Sequence, residues 1–204
     1  MNNPIRLLLA DDQALVRGAL AALLDLETDL EVVAQVGRGD EVLAAARQSR
    51  PDVCLLDIEM PGLDGIEAAR EIHAQLPGVR SLMVTTFGRP GYLRRAIEAG
   101  ASGFVVKDTP AEQLADAVRR VHAGLRVIDP SLATESLAAG ANPLTARESE
   151  VLRVALSGAT VAEIAAEVHL SAGTVRNHLS AAIGKTTTTN RAQAARVAHE
   201  RGWI

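Results

Sequence analysis

The first 125 residues alternate short apolar runs with longer segments in which apolar residues recur at helical spacing. The runs cover 5–10, 30–36, 53–56, 82–84 and 104–106, and Asp11-Asp12 closes the first. Nearly continuous apolarity, rather than alternation, suits strands covered on both faces, as in a parallel sheet. Between the runs the spacing predicts helices over about 14–26, 39–49, 64–76, 90–99 and 110–123. For the last, Thr109 is the expected N-cap, with Pro110 in the first helical position and Glu112 completing a capping box. Five strand–helix repeats imply right-handed crossovers, and hence a doubly wound α/β fold with a five-stranded parallel sheet.

That rhythm ends at residue 124. The stretch 125–141 contains Pro130 and Gly140 and reads as a linker, with a short helix over 131–138. From Thr145 the pattern is wholly helical. Thr145-Ala-Arg-Glu148 and Thr160-Val-Ala-Glu163 each have the form of a capping box. Ser171 opens a third helix, to about Ile183, and Asn190 a fourth. The short turn at His169-Leu170 gives the second and third helices helix-turn-helix spacing. Three regions follow: a first domain at 1–124, a linker at 125–141 and a small four-helix domain at 142–204.

Charge sharpens this division. The net charge of −4 hides 13 Lys and Arg against 18 Asp and Glu in residues 1–125, and 7 against 5 in residues 141–204. The second domain therefore has a basic tip, which hints at an anionic partner. Aromatic residues are 2% of the chain, which argues against base-stacking platforms for single strands. The single cysteine, Cys54, excludes an internal disulfide and a cysteine-based zinc site. No apolar run nears the ~20 residues of a membrane helix, so no membrane insertion and a cytoplasmic location are expected.

In a doubly wound sheet, function gathers beyond the carboxyl ends of the strands. Those ends carry Asp11, Asp12, Asp57, Thr85 and Lys107. Converging carboxylates need a cation, and hard oxygen donors suit Mg²⁺. An aspartate nucleophile, a divalent ion, an ammonium and a hydroxyl together suit phosphoryl chemistry. Taken singly, Asp12 would serve as well as a helix N-cap, and a lone Thr or Lys at a strand end is usually structural. The set as a whole carries the inference.

Leu-Leu-Ala-Asp11-Asp12, Leu-Leu-Asp57-Ile-Glu-Met-Pro61, Val-Thr85-Thr and Phe104-Val-Val-Lys107 resemble the receiver domain of two-component response regulators, over about 4–124. The resemblance implies a CheY-like receiver with Asp57 as phosphoacceptor. Asp11, Asp12, Asp57 and the backbone carbonyl of Glu59 would hold Mg²⁺. Thr85 would switch toward the phosphoryl oxygens, Lys107 would pair with them, and Phe104 would swing inward with Thr85 or stand simply as a core aromatic. Glu59 and Phe87 fall where dephosphorylation is tuned.

Asn142-Pro-Leu-Thr145-Ala-Arg-Glu148-Ser-Glu150 and Ser171-Ala-Gly-Thr174-Val-Arg176-Asn177-His178-Leu resemble the four-helix DNA-binding domain of the NarL/FixJ family, with its LuxR-type helix-turn-helix. The third helix of that domain would offer Arg176, Asn177 and Ser180 to bases, with Thr174, Lys185 and Arg191 toward phosphates. His178 is weighed between DNA contact and packing. The run Thr186–Thr189 departs from the apolar residues usual there and implies a looser turn, because buried hydroxyls need partners.

Within the family, Thr85-Thr-Phe-Gly-Arg-Pro-Gly-Tyr92, Lys107-Asp-Thr-Pro110 and Gly202-Trp203-Ile204 resemble DesR-type regulators, and that resemblance implies control of membrane-lipid genes. The implied function is a non-enzymatic transcription factor. A sensor histidine kinase would phosphorylate it, it would dimerise on phosphorylation, and it would bind double-stranded promoter DNA, with RNA polymerase as a further candidate partner. The rival is a Mg²⁺-dependent phosphatase or phosphotransferase using Asp57. Its usual Asp-x-Asp pattern after the first strand is replaced here by adjacent aspartates.

Overall fold

The computed structural model describes residues 3–86, 90–130, 132–134 and 142–204. The chain divides into two compact units, one built on a sheet and the other on the C-terminal helices. In the first, strands β1 (Ile5–Ala10), β2 (Leu30–Val36), β3 (Val53–Leu56), β4 (Arg80–Thr85), β5 (Gly103–Val106) and β6 (Val127–Ile128) form a sheet of order β2-β1-β3-β4-β5-β6. Every pairing is parallel. Helices α1 (Ala14–Leu24), α2 (Val42–Ser49), α3 (Gly65–Gln75), α4 (Pro90–Glu98) and α5 (Ala111–His122) connect the strands, with a 3₁₀ turn over Gly39–Glu41 before α2. The continuous apolar runs have the expected cause: Leu7, Leu8, Val53, Cys54, Leu56, Leu82 and Met83 are all fully buried.

Two expectations are corrected. The sheet has six strands among the described residues, not five. The added strand β6 lies in the stretch read as linker, where the main-chain N–H groups of Val127 and Asp129 donate to Ser102 and Phe104 at 3.2 Å. Buried Val127 thereby covers an edge of β5 that would otherwise present unpaired polar groups. The other correction concerns α5, whose N-cap is Pro110, with no side-chain cap hydrogen bond. Thr109 instead closes a turn, its N–H donating to Val106 at 3.0 Å, so the capping box with Glu112 does not form. Of the short helix expected over 131–138, residues 132–134 are helical and the rest, like Phe87, lies outside the described residues.

The second unit contains α6 (Ala146–Ala155), α7 (Val161–Glu167), α8 (Ala172–Lys185) and α9 (Arg191–Glu200). Both expected capping boxes are present, Thr145 with Glu148 and Thr160 with Glu163. The side chains of Ser171 and Asn190 cap α8 and α9 by accepting from the N–H groups of Thr174 and Gln193. Leu152, Ile164, Val175, Ala182, Ala194, Ala195 and Ala198 are buried together, the alanines allowing close helix approach. No helix among the described residues is long and apolar enough to cross a membrane.

Candidate phosphoacceptor site and nucleic-acid interface

Strand order reverses between β1 and β3, since β1 pairs with β2 on one side and β3 on the other. Register sets Ala10 beside Leu56, so the next residues along the two strands are Asp11 and Asp57. The Asp57 N–H donates to the Ala10 carbonyl at 2.8 Å, which fixes that adjacency. This is the switch point at which doubly wound sheets place their ligands.

Asp11 and Asp57 are 3% and 5% exposed, and Asp12 is exposed beside them. One carboxylate oxygen from each of the three lies within 4.8 Å of the others. Lys107 reaches in from the end of β5, its Nζ 2.7 Å from Asp11 Oδ2 and 2.9 Å from Asp57 Oδ2. Asp57 Oδ1 accepts from the Ile58 N–H at 2.8 Å, and Asp11 Oδ1 from the Gln13 N–H at 2.9 Å. Buried Thr85 ends β4, and its carbonyl accepts from the Lys107 N–H at 2.8 Å. The five strand-end residues therefore meet at one rim. Glu59 is exposed in the turn after Asp57, and Phe104 is 1% exposed, standing inward in the core. Asp12 does not cap α1, whose N-cap is Gln13.

Among the described residues, one ammonium faces three carboxylates, which leaves the cluster short of positive charge. Burial pushes the Asp57 carboxyl above its ordinary value, and the Asp11 charge adds to this, against the Lys107 hydrogen bond. Burial acts to lower the Lys107 ammonium, yet its hydrogen bonds to Asp11 and Asp57 hold it above its ordinary value. Two acids share one partner, so the partner gains more than Asp57 does. Hard oxygen donors, high negative charge and little else nearby match the requirements of Mg²⁺, whose bonds of ~2.1 Å place ligand oxygens roughly 3–4 Å apart. A small closing of the cluster meets that spacing.

Sequence reasoning missed the residues that brace the Asp57 loop. Gly65 begins α3 pressed against that loop: a Cβ there would lie 1.8 Å from the Asp57 carbonyl oxygen. Asp64 caps α3 through the Glu67 N–H at 2.7 Å, and its other oxygen accepts from Arg95 of α4 at 3.1 Å. The Asp64-Gly-Ile-Glu67 pattern is a local cap signal that was available in the sequence.

In the second unit, Val175, Leu179 and Ala182 of α8 face the core, whereas Arg176, Asn177 and Ser180 are exposed. Thr174 is half-buried, and its hydroxyl lies 2.8 Å from Ser171 Oγ. Arg191 is half-buried at the start of α9, and His178 is half-buried on α8. Lys185 is paired within the unit, its Nζ 2.9 and 2.7 Å from the two carboxylate oxygens of buried Glu148. The turn after α8 is tighter than its threonines suggested. Thr186 Oγ1 donates to the Ala182 carbonyl at 2.8 Å, and Thr189 Oγ1 to Gln193 Oε1 at 2.7 Å. The hydroxyls thus find partners locally.

Residues 7–119 match the response regulator receiver domain family, and residues 142–198 match the bacterial regulatory proteins of the luxR family. The transcriptional regulatory protein DesR of Bacillus subtilis (strain 168) is 44% identical over 98% of this chain and 99% of its own. YvfU of the same organism, described as an uncharacterized transcriptional regulatory protein, is 46% identical over 98% of this chain and 100% of its own. Among solved structures, ChrA, the response regulator of a heme-sensing two-component system, is 33% identical with a TM-score of 0.60, covering 100% of both chains. The chain belongs to the response regulators with a LuxR-type helix-turn-helix domain, a family of transcription regulators.

Proposed function

We propose that Asp57 is the phosphoacceptor, with Asp11, Asp12, Asp57 and the backbone carbonyl of Glu59 holding Mg²⁺. The single observation that carries this reading is the surplus of carboxylate over ammonium at the switch point, where Asp11, Asp12 and Asp57 converge on Lys107. The donor is the phosphohistidine of a sensor histidine kinase or a small phosphodonor. An Asp57 oxygen attacks phosphorus, the bond to the donor breaks, and an acyl phosphate forms. Mg²⁺ held by Asp11, Asp12, Asp57 and the Glu59 carbonyl would supply neutralising charge for the phosphoryl oxygens. Those oxygens draw Lys107 Nζ away from the aspartates and engage the Thr85 hydroxyl. Phe104 is already buried, which favours its reading as a core aromatic over one that swings inward with Thr85.

The shift in the surface over roughly 82–123 favours a homodimer through that surface or through α1 and α5. Two copies of α8 then reach neighbouring half-sites on duplex promoter DNA about one turn, or roughly 10 base pairs, apart. Exposed Arg176, Asn177 and Ser180 read bases, and Thr174 and Arg191 contact phosphates. Lys185 spends two of its three N–H donors on Glu148, and the third serves phosphate. RNA polymerase is a further candidate partner at the promoter. Control of membrane-lipid genes is carried only by the resemblance of the Thr85–Tyr92, Lys107–Pro110 and Gly202–Ile204 motifs to DesR-type regulators.

Recovery of genomic DNA with and without a phosphoryl mimic on Asp57 tests the gating. Enrichment of a small set of promoters with the mimic, lost in Asp57→Ala, is expected. Equal recovery from Asp57→Ala and the mimic-bound wild type would refute it.

A further inference from the structure

Arg17 lies one turn into α1, a helix whose buried positions are Ala21 and Leu24. It is half-buried, and its Nη1 donates to the main-chain carbonyl of Asp11. Across from it, Gly37 follows β2, and a Cβ built on Gly37 would come within 3.4 Å of Nη1. The missing side chain is the room the guanidinium occupies. With this bond, Asp11 is held at four points. Its N–H donates to Val36 at 3.2 Å, Oδ1 accepts from Gln13 at 2.9 Å, and Oδ2 accepts from Lys107 at 2.7 Å. The first two come from main-chain groups that almost any sequence would supply. Arg17 and Lys107 are the sequence-specific anchors, and only Lys107 reaches a carboxylate of the cluster.

We infer that Arg17 is a positioning residue for the cation site. It pins the Asp11 carbonyl, and with it the turn that aims the Asp11 and Asp12 carboxylates, from behind the site. The inference rests on the reading of Asp11, Asp12 and Asp57 as a Mg²⁺ site. The sign of its effect separates it from simple electrostatics. A cation near a cation site repels the incoming ion, so deleting Arg17 for its charge alone would tighten Mg²⁺ binding. Deleting an anchor widens the range of the ligand turn and weakens binding, typically 10–100-fold for partners that orient metal ligands. A role confined to seating α1 on the sheet lowers melting temperature in EDTA and leaves Mg²⁺ affinity unchanged.

The test is calorimetric titration of the full chain with MgCl₂, with the melting temperature of each variant measured in EDTA. Arg17→Met keeps the aliphatic stem and removes the donors, and it is expected to weaken Mg²⁺ about tenfold or more. Arg17→Lys, which can still donate once to the carbonyl, recovers most of the loss. Gly37→Val fills the pocket beside Nη1 and weakens Mg²⁺ with Arg17 still present, which covers the case in which Arg17→Met does not fold. Unchanged or tighter Mg²⁺ binding in folded Arg17→Met, or in Gly37→Val should Arg17→Met be unfolded, overturns the inference. A wild-type chain that takes no Mg²⁺ overturns the metal reading beneath it instead.

Discussion

Lys107 and Lys185 each meet buried carboxylate, one in each compact unit, and on different terms. Lys185 faces Glu148 alone, and that carboxylate is also held by the Thr145 N–H at 2.7 Å. Burial acts to raise the Glu148 carboxyl, but the Lys185 and Thr145 hydrogen bonds together hold it below its ordinary value. Lys107 is divided between Asp11 and Asp57 with Asp12 nearby, and the Asp57 carboxyl stands above its ordinary value. The first grouping balances its charges and serves the fold, joining the start of α6 to the end of α8. The second does not balance, and its imbalance is what a divalent ion and then a phosphoryl group would use. On the proposed reading, a count of charges among the described residues, rather than residue type, separates the pair that serves stability from the cluster that serves function.

Removing each lysine breaks the comparison most forcefully. Lys107→Ala leaves two buried aspartates without their ammonium, and losing one side of a buried ion pair costs about 3–5 kcal/mol. Urea unfolding of the first unit in EDTA should show a loss of that order, largely restored by Mg²⁺. Lys185→Met should cost the second unit much less, about 1 kcal/mol, because the lysine is 36% exposed and solvent screens the pair. A Lys185→Met loss as large as that of Lys107→Ala would erase the distinction.

Gly65→Ala lies between these in size. Its Cβ would overlap the Asp57 carbonyl at 1.8 Å, and displacing packed backbone costs about 1–3 kcal/mol. Phosphorylation by a small donor should fall together with stability, as read by differential scanning calorimetry and intact mass.

The two carboxylates also respond to pH with opposite sign. Glu148 is depressed in the fold, so its contribution is complete above its ordinary value of 4.5 and is lost as pH falls through its folded value. Asp57 is raised, so its charged form costs stability at neutral pH, and that cost disappears as pH falls through its folded value toward its ordinary 3.8. In EDTA, Asp57→Asn should therefore melt higher than the wild type at neutral pH, with the gap closing on acidification. Saturating Mg²⁺ should reverse the order, since ligand at 100 times its Kd adds about 2.7 kcal/mol to the form that binds it. The smallest effect concerns Thr187, a β-branched residue at φ +53°. Thr187→Gly relieves that strain and should stabilise the second unit by about 0.5–1 kcal/mol, which raises its melting point by about 2–8 °C.

What was legible in the sequence was local. The boxes Thr145–Glu148 and Thr160–Glu163 span one helical turn, so spacing alone reveals them. The strand ends carrying Asp11, Asp57, Thr85 and Lys107 were legible because apolar runs stop abruptly at polar residues. Partnerships across sequence were not. The pairing of Lys185 with Glu148 left no trace, because Glu148, 37 positions away, gives no local sign of meeting it. The strand β6 has two residues, too few to show a period. The threonine turn looked loose because the hydrogen bonds that close it depend on backbone geometry after α8. At Thr109 the local rule itself misled, because Pro110 took the cap position.

The central claim is that the unbalanced carboxylates prepare Asp57 to accept a phosphoryl group. Intact mass spectrometry after incubation with a small phosphodonor tests it most directly. The account predicts one added phosphoryl group that requires Mg²⁺, is absent in Asp57→Asn, and persists in Lys185→Met. An adduct that survives Asp57→Asn, or its absence from the Mg²⁺-loaded wild type, would contradict it.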